Sequence, residues 1–305
     1  MLKFVVRTVL FMAFASTLYV VAVFLFGQYA PNELKPNINS RLGAYGHLYS
    51  RLQEVKTASN VDVLFLGSSH AYRGFDTRIF ERQGFTAFNL GSSAQTPMQT
   101  QVLIDRYLDQ LNPKTVVYEV YPVTFTLDGI ESAIDLVSND QNDLSSFLMS
   151  LQTRNIKALN AFLFASTSQL LGLHSQYNEP RLKGNDTYIP GGFVERKLLA
   201  FERSAEPIAV APLRIAQLQC FQQNIEVLKR RGIRVVLVYA PIPEVSYKNL
   251  AHQALFDQLM HAHGEYYNFN ARMQLDDSLH FYDADHLNQR GVERFNAALI
   301  EVLWQ

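Results

Sequence analysis

Two short segments carry side chains of the kinds that perform nucleophilic catalysis. Gly67-Ser68-Ser69 follows the nearly all-apolar run 61–66, and Asp283-Ala284-Asp285-His286 lies more than two hundred residues later. A serine needs a base to attack an acyl carbon, and that base needs a partner to orient it. Asp283, three residues before His286, can reach the near nitrogen of that imidazole and leave the far nitrogen for a serine.

The position of the serines in the predicted fold favours this chemistry. The run 61–66 is typical of a strand buried on both faces of a parallel sheet. Open α/β sheets place their sites at the carboxyl ends of such strands, where a tight turn also aims backbone N–H groups at a reacting oxygen. Alternatively, the serines cap the next helix, and Asp283 and His286 belong to the capping region of the last one.

The motifs resemble those of the SGNH (GDSL-like) hydrolase superfamily. Gly67-Ser68-Ser69 is similar to its first block, in which the third residue is the nucleophile. The resemblance implies that Ser69 is the nucleophile and that Ser68 replaces the usual aspartate. Asp283 and His286 match the D-x-x-H of the fifth block, which supplies the orienting carboxylate and the base.

The resemblance also implies an oxyanion hole, a set of N–H donors for the negative oxygen of the intermediate. Gly91, after Asn89-Leu90, is similar to the second-block glycine, whose N–H serves this hole together with that of Ser69. The third block departs from the family, because Glu119 stands where its asparagine is expected and a carboxylate donates only when protonated. Either Gln95 or the N–H of Ser93 serves instead, or the hole is weak.

Several polar residues at the same sheet edge are candidates for lining the substrate pocket. They are Ser68, His70, Ser93, Gln95, Glu119 and Tyr121. For His70 a place at the helix start is an equal alternative, and for Glu119 and Tyr121 the alternative is packing at the end of the sheet. Asp285 is expected to face solvent or to cap.

The elements that must position these residues alternate between strand and helix. Apolar runs at 61–66, 86–90, 115–121, 233–239 and 265–269 are separated by helical patterns. This alternation predicts a three-layer α/β/α sandwich around a parallel sheet, with a flavodoxin-like strand order. The predicted domain is 61–305, and the stretch 123–210 interrupts it as a long insertion, either a cover over the site or a decoration.

The first thirty residues predict a membrane helix. Thr8–Gln28 is an uncharged run of 21 residues, long enough to span a bilayer, and Lys3 and Arg7 precede it. Basic residues before the run favour a cytoplasmic N-terminus, so the rest of the chain is expected outside the inner membrane. The alternative is a cleaved signal peptide. Residues 1–30 are thus predicted to be a retained signal anchor, and 31–60 a stalk.

Composition excludes other classes of function. The 305 residues carry a net charge of −1 with a pI near 6.7, which does not indicate a nucleic-acid-binding protein. Cys220 is the single cysteine, so neither an internal disulfide nor a cysteine metal site is expected. His252, His261 and His263 lack carboxylates at ligand spacing and are interpreted as surface residues. No metal or cofactor is expected.

This chain combines a membrane anchor with a missing third block. That combination is similar to the one found in the DltD-like branch and in the alginate O-acetylation proteins. That resemblance implies action outside the membrane on acyl esters of cell-envelope or exported glycans, with a membrane-bound O-acyltransferase as partner. The sequence therefore predicts a membrane-anchored serine esterase or O-acyltransferase, depending on whether water or a sugar hydroxyl resolves the acyl-enzyme. The rival is a non-catalytic scaffold module of a cell-envelope complex that kept the fold.

Overall fold

The apolar runs form a single parallel sheet, as predicted. The computed structural model describes residues 1–36, 38, 40–197, 212–250 and 253–304. The five strands are β1 (Val63–Leu66), β2 (Ala87–Asn89), β3 (Thr115–Glu119), β7 (Arg234–Tyr239) and β8 (Glu265–Asn268). Their order is β2-β1-β3-β7-β8 and every pairing is parallel, which is the predicted flavodoxin-like arrangement.

Successive side chains of each strand point to opposite faces, and both faces are covered. Phe65 and Val236 belong to a core that also holds Phe75, Phe295 and Leu299 from the helices on one face. On the other face, the ring of Tyr118 lies against that of Phe221, with centroids 5.4 Å apart. The three-layer α/β/α prediction is therefore confirmed.

The helices follow the strands in the predicted alternation. Those of the sheet layers are α2 (Leu48–Glu54), α3 (Ser69–Gly74), α4 (Thr77–Glu81), α5 (Pro97–Leu111), α9 (Ile215–Arg230), α10 (Glu244–Asn249), α11 (Gln253–His263), α12 (Phe269–Arg272), α13 (Asp277–His280) and α14 (Gln289–Trp304). The single cysteine, Cys220, is buried on α9.

By its internal contacts the chain divides into two units. The helical unit comprises Met1–Leu42 and Ala133–Asn178, and the sheet unit comprises Gly43–Ser132 and Glu179–Gln305. The helical unit holds α1 (Leu2–Tyr29), α7 (Leu144–Gln152) and α8 (Ile156–Leu170), and α6 (Ile130–Asn139) contains the boundary. Helix α1 is long and apolar enough to cross a membrane, and it is almost entirely unburied.

Two predicted boundaries differ from this division of the chain into units. The predicted stalk, 31–60, ends early, because 43–60 belongs to the sheet unit. Leu48, Leu52 and Val55 form an apolar stripe that is buried, and the buried Arg51 donates to the carbonyl of Gly192 at 2.9 Å.

The predicted insertion, 123–210, is not one piece. Residues 133–178 belong to the helical unit, whereas 179–197 belong to the sheet unit, and 198–210 lie outside the described residues. In the sheet unit it forms a small antiparallel sheet of β4 (Leu182–Lys183), β5 (Asp186–Ile189) and β6 (Phe193–Arg196). Asp186 accepts two hydrogen bonds from Arg73 of α3, so this sheet packs beside the helix that begins at Ser69.

Candidate active site

Ser69 is presented by a turn that only glycine allows. Gly67 has a φ of +139°, and a Cβ at this position would lie 2.6 Å from both Cβ and Oε2 of Glu119. The approach is close because Leu66 pairs with Tyr118 in neighbouring parallel strands, which places Glu119 beside Gly67. The turn leaves Ser68 as the N-cap of α3 and Ser69 as its first residue. Ser69 is partly exposed, whereas its neighbours Ser68 and His70 are buried.

The structure brings Ser69, His286 and Asp283 into one hydrogen-bonded series. His286 Nε2 lies 2.8 Å from Ser69 Oγ, and His286 Nδ1 lies 3.0 Å from Asp283 Oδ2. Carboxylate oxygens only accept, so Nδ1 carries the hydrogen of the neutral ring and Nε2 is free to accept the serine proton. The backbone N–H groups of Asp285 and His286 donate to Asp283 Oδ1 and hold that carboxylate in place.

Asp285 is a second carboxylate partner of His286. Its Oδ1 lies 2.8 Å from His286 Nδ1, a contact that the expected solvent-facing or capping role does not include. Burial by itself lowers the pKa of His286, but the attraction of Asp285 and the hydrogen bond to Asp283 outweigh it and raise that pKa to about 10. The sequence places two carboxylates, Asp283 and Asp285, within three residues of His286, but the sequence prediction assigned only Asp283 as a partner of this histidine.

His70 is buried beside the base. Its ring centroid lies 5.0 Å from that of His286, nearly parallel to it, and 4.2 Å from that of Tyr121. His70 Nε2 lies 2.8 Å from the carbonyl oxygen of Asp285, an acceptor, so Nε2 carries the hydrogen. Burial lowers the pKa of His70 to about 4, which keeps the ring neutral near pH 7. The hydrogen bond joins the nucleophile helix to the loop that carries His286.

Glu119 lies beneath the nucleophile turn and holds it. Its Oε2 accepts a hydrogen bond of 2.8 Å from the N–H of Ser68 and also lies 2.8 Å from Ser68 Oγ. Burial raises the pKa of Glu119 to about 7. The chain of contacts continues from Ser68 Oγ to His70 Nδ1, at 3.1 Å.

The contacts from Glu119 through Ser68 to His70 need one proton more than the Ser68 hydroxyl supplies. Because His70 Nε2 carries its hydrogen, Nδ1 of the neutral ring needs a donor, and Ser68 has a single hydroxyl hydrogen for both Glu119 and His70. Every contact is satisfied when Glu119 is protonated and donates to Ser68, which then donates to His70. The raised pKa of Glu119 and the lowered pKa of His70 both favour that arrangement.

The predicted oxyanion donors differ in availability. The N–H of Gly91 donates to Asn89 Oδ1 at 3.0 Å, so the second donor predicted from the family is already occupied. Glycine is needed there for packing, since a Cβ would lie 2.8 Å from Cβ of Ala71. Within the described residues the N–H groups of Ser69 and Ser93 have no hydrogen-bond acceptor.

Most of the residues predicted to line the pocket are buried. Ser68, His70, Gln95, Glu119 and Tyr121 are all at most 5 % exposed, so their part in a substrate pocket stays a prediction. The Gln95 amide accepts from Ser92 and donates to Thr100, so it braces the loop after β2. Ser93 alone of the predicted set is partly exposed.

Metal-ligating side chains also come together here. Within the described part of the chain, one group of ligand atoms, from His70, Asp285 and His286, lies within 4.8 Å of one another. The sequence interpretation missed this group because its members come from two distant segments. Of the histidines interpreted as surface residues, His261 is exposed and His263 is partly exposed, and His252 lies outside the described residues.

Comparison with known proteins gives likenesses of fold. No family model matches the chain, and neither does any curated protein. A GDSL-like lipase from Bacteroides thetaiotaomicron is 14% identical, with a TM-score of 0.42 over 84% of this chain and 98% of that one. A Bacteroides fragilis protein described as an acylhydrolase is 13% identical, with a TM-score of 0.41 over 83% and 95%.

A third solved structure is a family 3 carbohydrate esterase from Clostridium thermocellum. It is 12% identical, with a TM-score of 0.37 over 80% of this chain and 99% of that one. The three descriptions name a lipase, an acylhydrolase and a carbohydrate esterase. None of the three names the DltD-like branch.

Proposed function

We propose that this chain is a serine esterase in which Ser69 is the nucleophile, His286 the general base and Asp283 its orienting partner. The observation that carries the proposal is the 2.8 Å contact between Ser69 Oγ and His286 Nε2, with the other ring nitrogen held by a carboxylate. A partly exposed serine in that arrangement has the geometry of an activated nucleophile.

The chemistry proceeds through a covalent acyl-enzyme. Ser69 Oγ attacks the ester carbon while its proton passes to His286 Nε2, and the carbonyl oxygen becomes an oxyanion. His286 then gives that proton to the departing alkoxide, and the acyl group remains on Ser69 as an ester. Water, deprotonated by His286, attacks this ester and releases the acid, which restores the serine hydroxyl.

The oxyanion is assigned to backbone donors. The N–H of Ser69 lies at the N-terminus of α3, and it has no acceptor among the described residues. The N–H of Ser93 is the proposed second donor, because Ser92 of the same loop donates to the carbonyl of Gly67 and so joins that loop to the nucleophile turn. Backbone donors of this kind need no side chain from the third block.

Trapping of the nucleophile tests the proposal directly. Purified full-length protein, incubated with a fluorophosphonate, is expected to gain the phosphonyl mass on the peptide that contains Ser69. The Ser69→Ala variant should not react, and the exposed Ser59→Ala variant should react like the parent. Labelling of another residue, or no labelling together with no hydrolysis of short p-nitrophenyl esters, would favour the rival scaffold function.

The finer proposal is that α1 anchors this enzyme in the inner membrane, with the sheet unit outside the cytoplasm. It is supported by the length and apolarity of α1 and by Lys3 and Arg7 at its start. Protease added to intact spheroplasts should then degrade the chain after Tyr29. Full protection of that region would contradict the orientation, and a shortened soluble product in untreated cells would show that α1 is a cleaved signal sequence.

The proposed substrate is an acyl ester of a cell-envelope or exported glycan, and the proposed partner is a membrane-bound O-acyltransferase. The support is the motif resemblance in an anchored chain. Product analysis separates the two reactions. Free acid as the sole product of a glycan ester indicates a hydrolase, whereas acyl transfer to an added sugar acceptor, dependent on Ser69, indicates a transferase.

A further inference from the structure

The helical unit contains a second apolar surface beside α1. Helices α7 and α8 form a hairpin, in which the rings of Phe147 and Phe162 have centroids 5.5 Å apart. At the tip of this hairpin, which we define as residues 148–157, the side chains of Leu148, Leu151 and Ile156 are 53%, 45% and 52% exposed. Such a cluster of exposed apolar side chains needs an explanation.

Helix α8 runs parallel to α1 and is joined to it by direct contacts. The hydroxyl of Tyr19 donates to Asn160 Oδ1 at 2.6 Å, and five residues later along α1 the ring of Phe24 stacks on that of Phe164. A Cβ at Gly27 would lie 2.4 Å from the Phe164 ring, so the two helices approach closely there. From the first pair to the second, the residue number rises along both helices. The N-terminal end of α8, and with it the hairpin tip, therefore points toward the N-terminal end of α1.

The level of the tip along α1 follows from helix geometry. Asn160 is level with Tyr19, and Ile156 lies four residues before Asn160, so the tip is level with about residue 15 of α1. The part of α1 that extends past the tip is therefore about 14 residues long, or ~21 Å at 1.5 Å per residue. A bilayer core is ~30 Å thick. If α1 spans it from its first residue, with Lys3 and Arg7 extending to the far headgroups, ~9 Å of the core lies at the level of the hairpin tip.

We propose that the α7–α8 hairpin tip inserts into the leaflet in which the C-terminal part of α1 lies, as a second membrane contact next to α1. The depth of ~9 Å is that of interfacial helices, which bury their apolar side chains 5–10 Å into the boundary of the headgroups. Arg154 and Lys157 are the only charged residues between 144 and 173. Both lie at the tip, where long cationic side chains extend toward lipid phosphates.

This inference rests on the proposed membrane anchoring by α1. It adds that the α7–α8 hairpin, as well as α1, contacts the bilayer. The occupant of the apolar tip is lipid, and a protein partner would give a different result in the following test.

Site-directed fluorescence in lipid vesicles tests the depth of the tip. Single cysteines at Leu151→Cys or Ile156→Cys, in the full chain with the buried Cys220 replaced by serine, are labelled with a bimane fluorophore. The protein is reconstituted into phosphatidylcholine–phosphatidylglycerol vesicles with or without spin-labelled lipid. Tip labels should be quenched severalfold more by the lipid-borne spin label than by aqueous iodide.

Matched positions provide the controls. Leu170→Cys, at the other end of α8 and highly exposed, should show the opposite preference, because it lies ~21 Å from Ile156 along the helix. Leu255→Cys on α11 should also be quenched by iodide, whereas Phe11→Cys, on the bare part of α1, should be quenched by lipid.

Each other outcome overturns a specific statement. Tip labels that iodide quenches as strongly as the Leu170 label would refute insertion of the hairpin while leaving anchoring intact. Tip labels protected from both quenchers would mean that protein, and not lipid, covers the tip. A Phe11 label that lipid does not quench would refute the anchoring itself, and the inference with it.

Discussion

His70 Nε2 and the carbonyl oxygen of Asp285 lie 2.8 Å apart, and this hydrogen bond joins the helix that carries the nucleophile to the loop that carries the base. Ser69 directly precedes His70 and His286 directly follows Asp285. Because its two ends are the chain neighbours of Ser69 and His286, this bond fixes the position of these two reacting residues relative to each other. The His70 end of this bond is buried, which limits competition with water there.

Removal of this bond is expected to lower turnover without abolishing it. His70→Phe keeps an aromatic ring but has no donor, so the His286 loop loses its connection to α3 and kcat should fall by about 10- to 100-fold with little change in KM. His70→Gln, whose amide can donate to the Asp285 carbonyl, should recover part of the loss. Equal kcat values for the His70→Phe variant and the parent, both folded by circular dichroism, would show that the bond has no positioning role.

Ser69→Ala and His286→Ala should each reduce ester hydrolysis by about 10³-fold or more, and the double variant should be little worse, because the residues act as a unit. Ser68→Ala should cost much less, since Ser68 holds the turn but does not touch the reacting carbon. Steady-state kinetics on a short-chain ester measures all four variants. If Ser68→Ala gave the larger loss, the nucleophile would be assigned one residue too late.

The two carboxylates at His286 Nδ1 should be separable by pH. The raised pKa of His286 means that its base form accumulates only at alkaline pH, so kcat/KM should keep rising well above pH 7. Asp285→Asn removes one attraction, lowers the pKa of His286 and should move the rising limb toward acid. Asp283→Asn should lower kcat more, because Asp283 makes the hydrogen bonds to His286 Nδ1, whereas Asp285 meets that nitrogen only as an ion pair. Identical pH profiles for the parent and the Asp285→Asn variant would contradict this division of roles.

Glu119 should make the folded protein less stable as pH rises. Its pKa is raised from 4.5 to about 7 by burial, so between these values the folded state holds a proton that the unfolded state releases, and stability falls by up to about 3 kcal/mol. Glu119→Gln removes this dependence, and its melting temperature should therefore drop less from pH 5 to pH 8 than that of the parent. Glu226→Gln, at an exposed glutamate, provides the control and should keep the parent's slope.

Metal chelation distinguishes the serine mechanism from a metal-dependent one at the same place. The proposed steps use only protein groups, so dialysis against EDTA should leave turnover unchanged. Added Zn²⁺ should inhibit reversibly, because binding by His70, Asp285 and His286 would remove the base from Ser69. Loss of activity after EDTA treatment, with recovery on addition of metal, would assign these three residues as a catalytic metal site.

Much of this arrangement could be predicted from local sequence. Apolar runs alternating with helical patterns specify a parallel sheet, because strands buried on both faces need apolar residues throughout. Gly67 at the end of such a run places Ser69 at the carboxyl edge, and the spacing of Asp283 and His286 lets them meet within one loop. These are short-range relationships, which a single sequence displays directly.

Other features were decided only by the tertiary structure. The roles of His70 and Glu119 depend on contacts between strands and loops far apart in sequence, so their burial and their pKa shifts have no local signature. The occupied N–H of Gly91 depends on where the Asn89 side chain turns. The insertion divides between two units because α8 packs along α1, and neither helix alone contains the information that specifies its partner. Burial and long-range pairing arise when the folded chain packs, and they cannot be read from the order of residues alone.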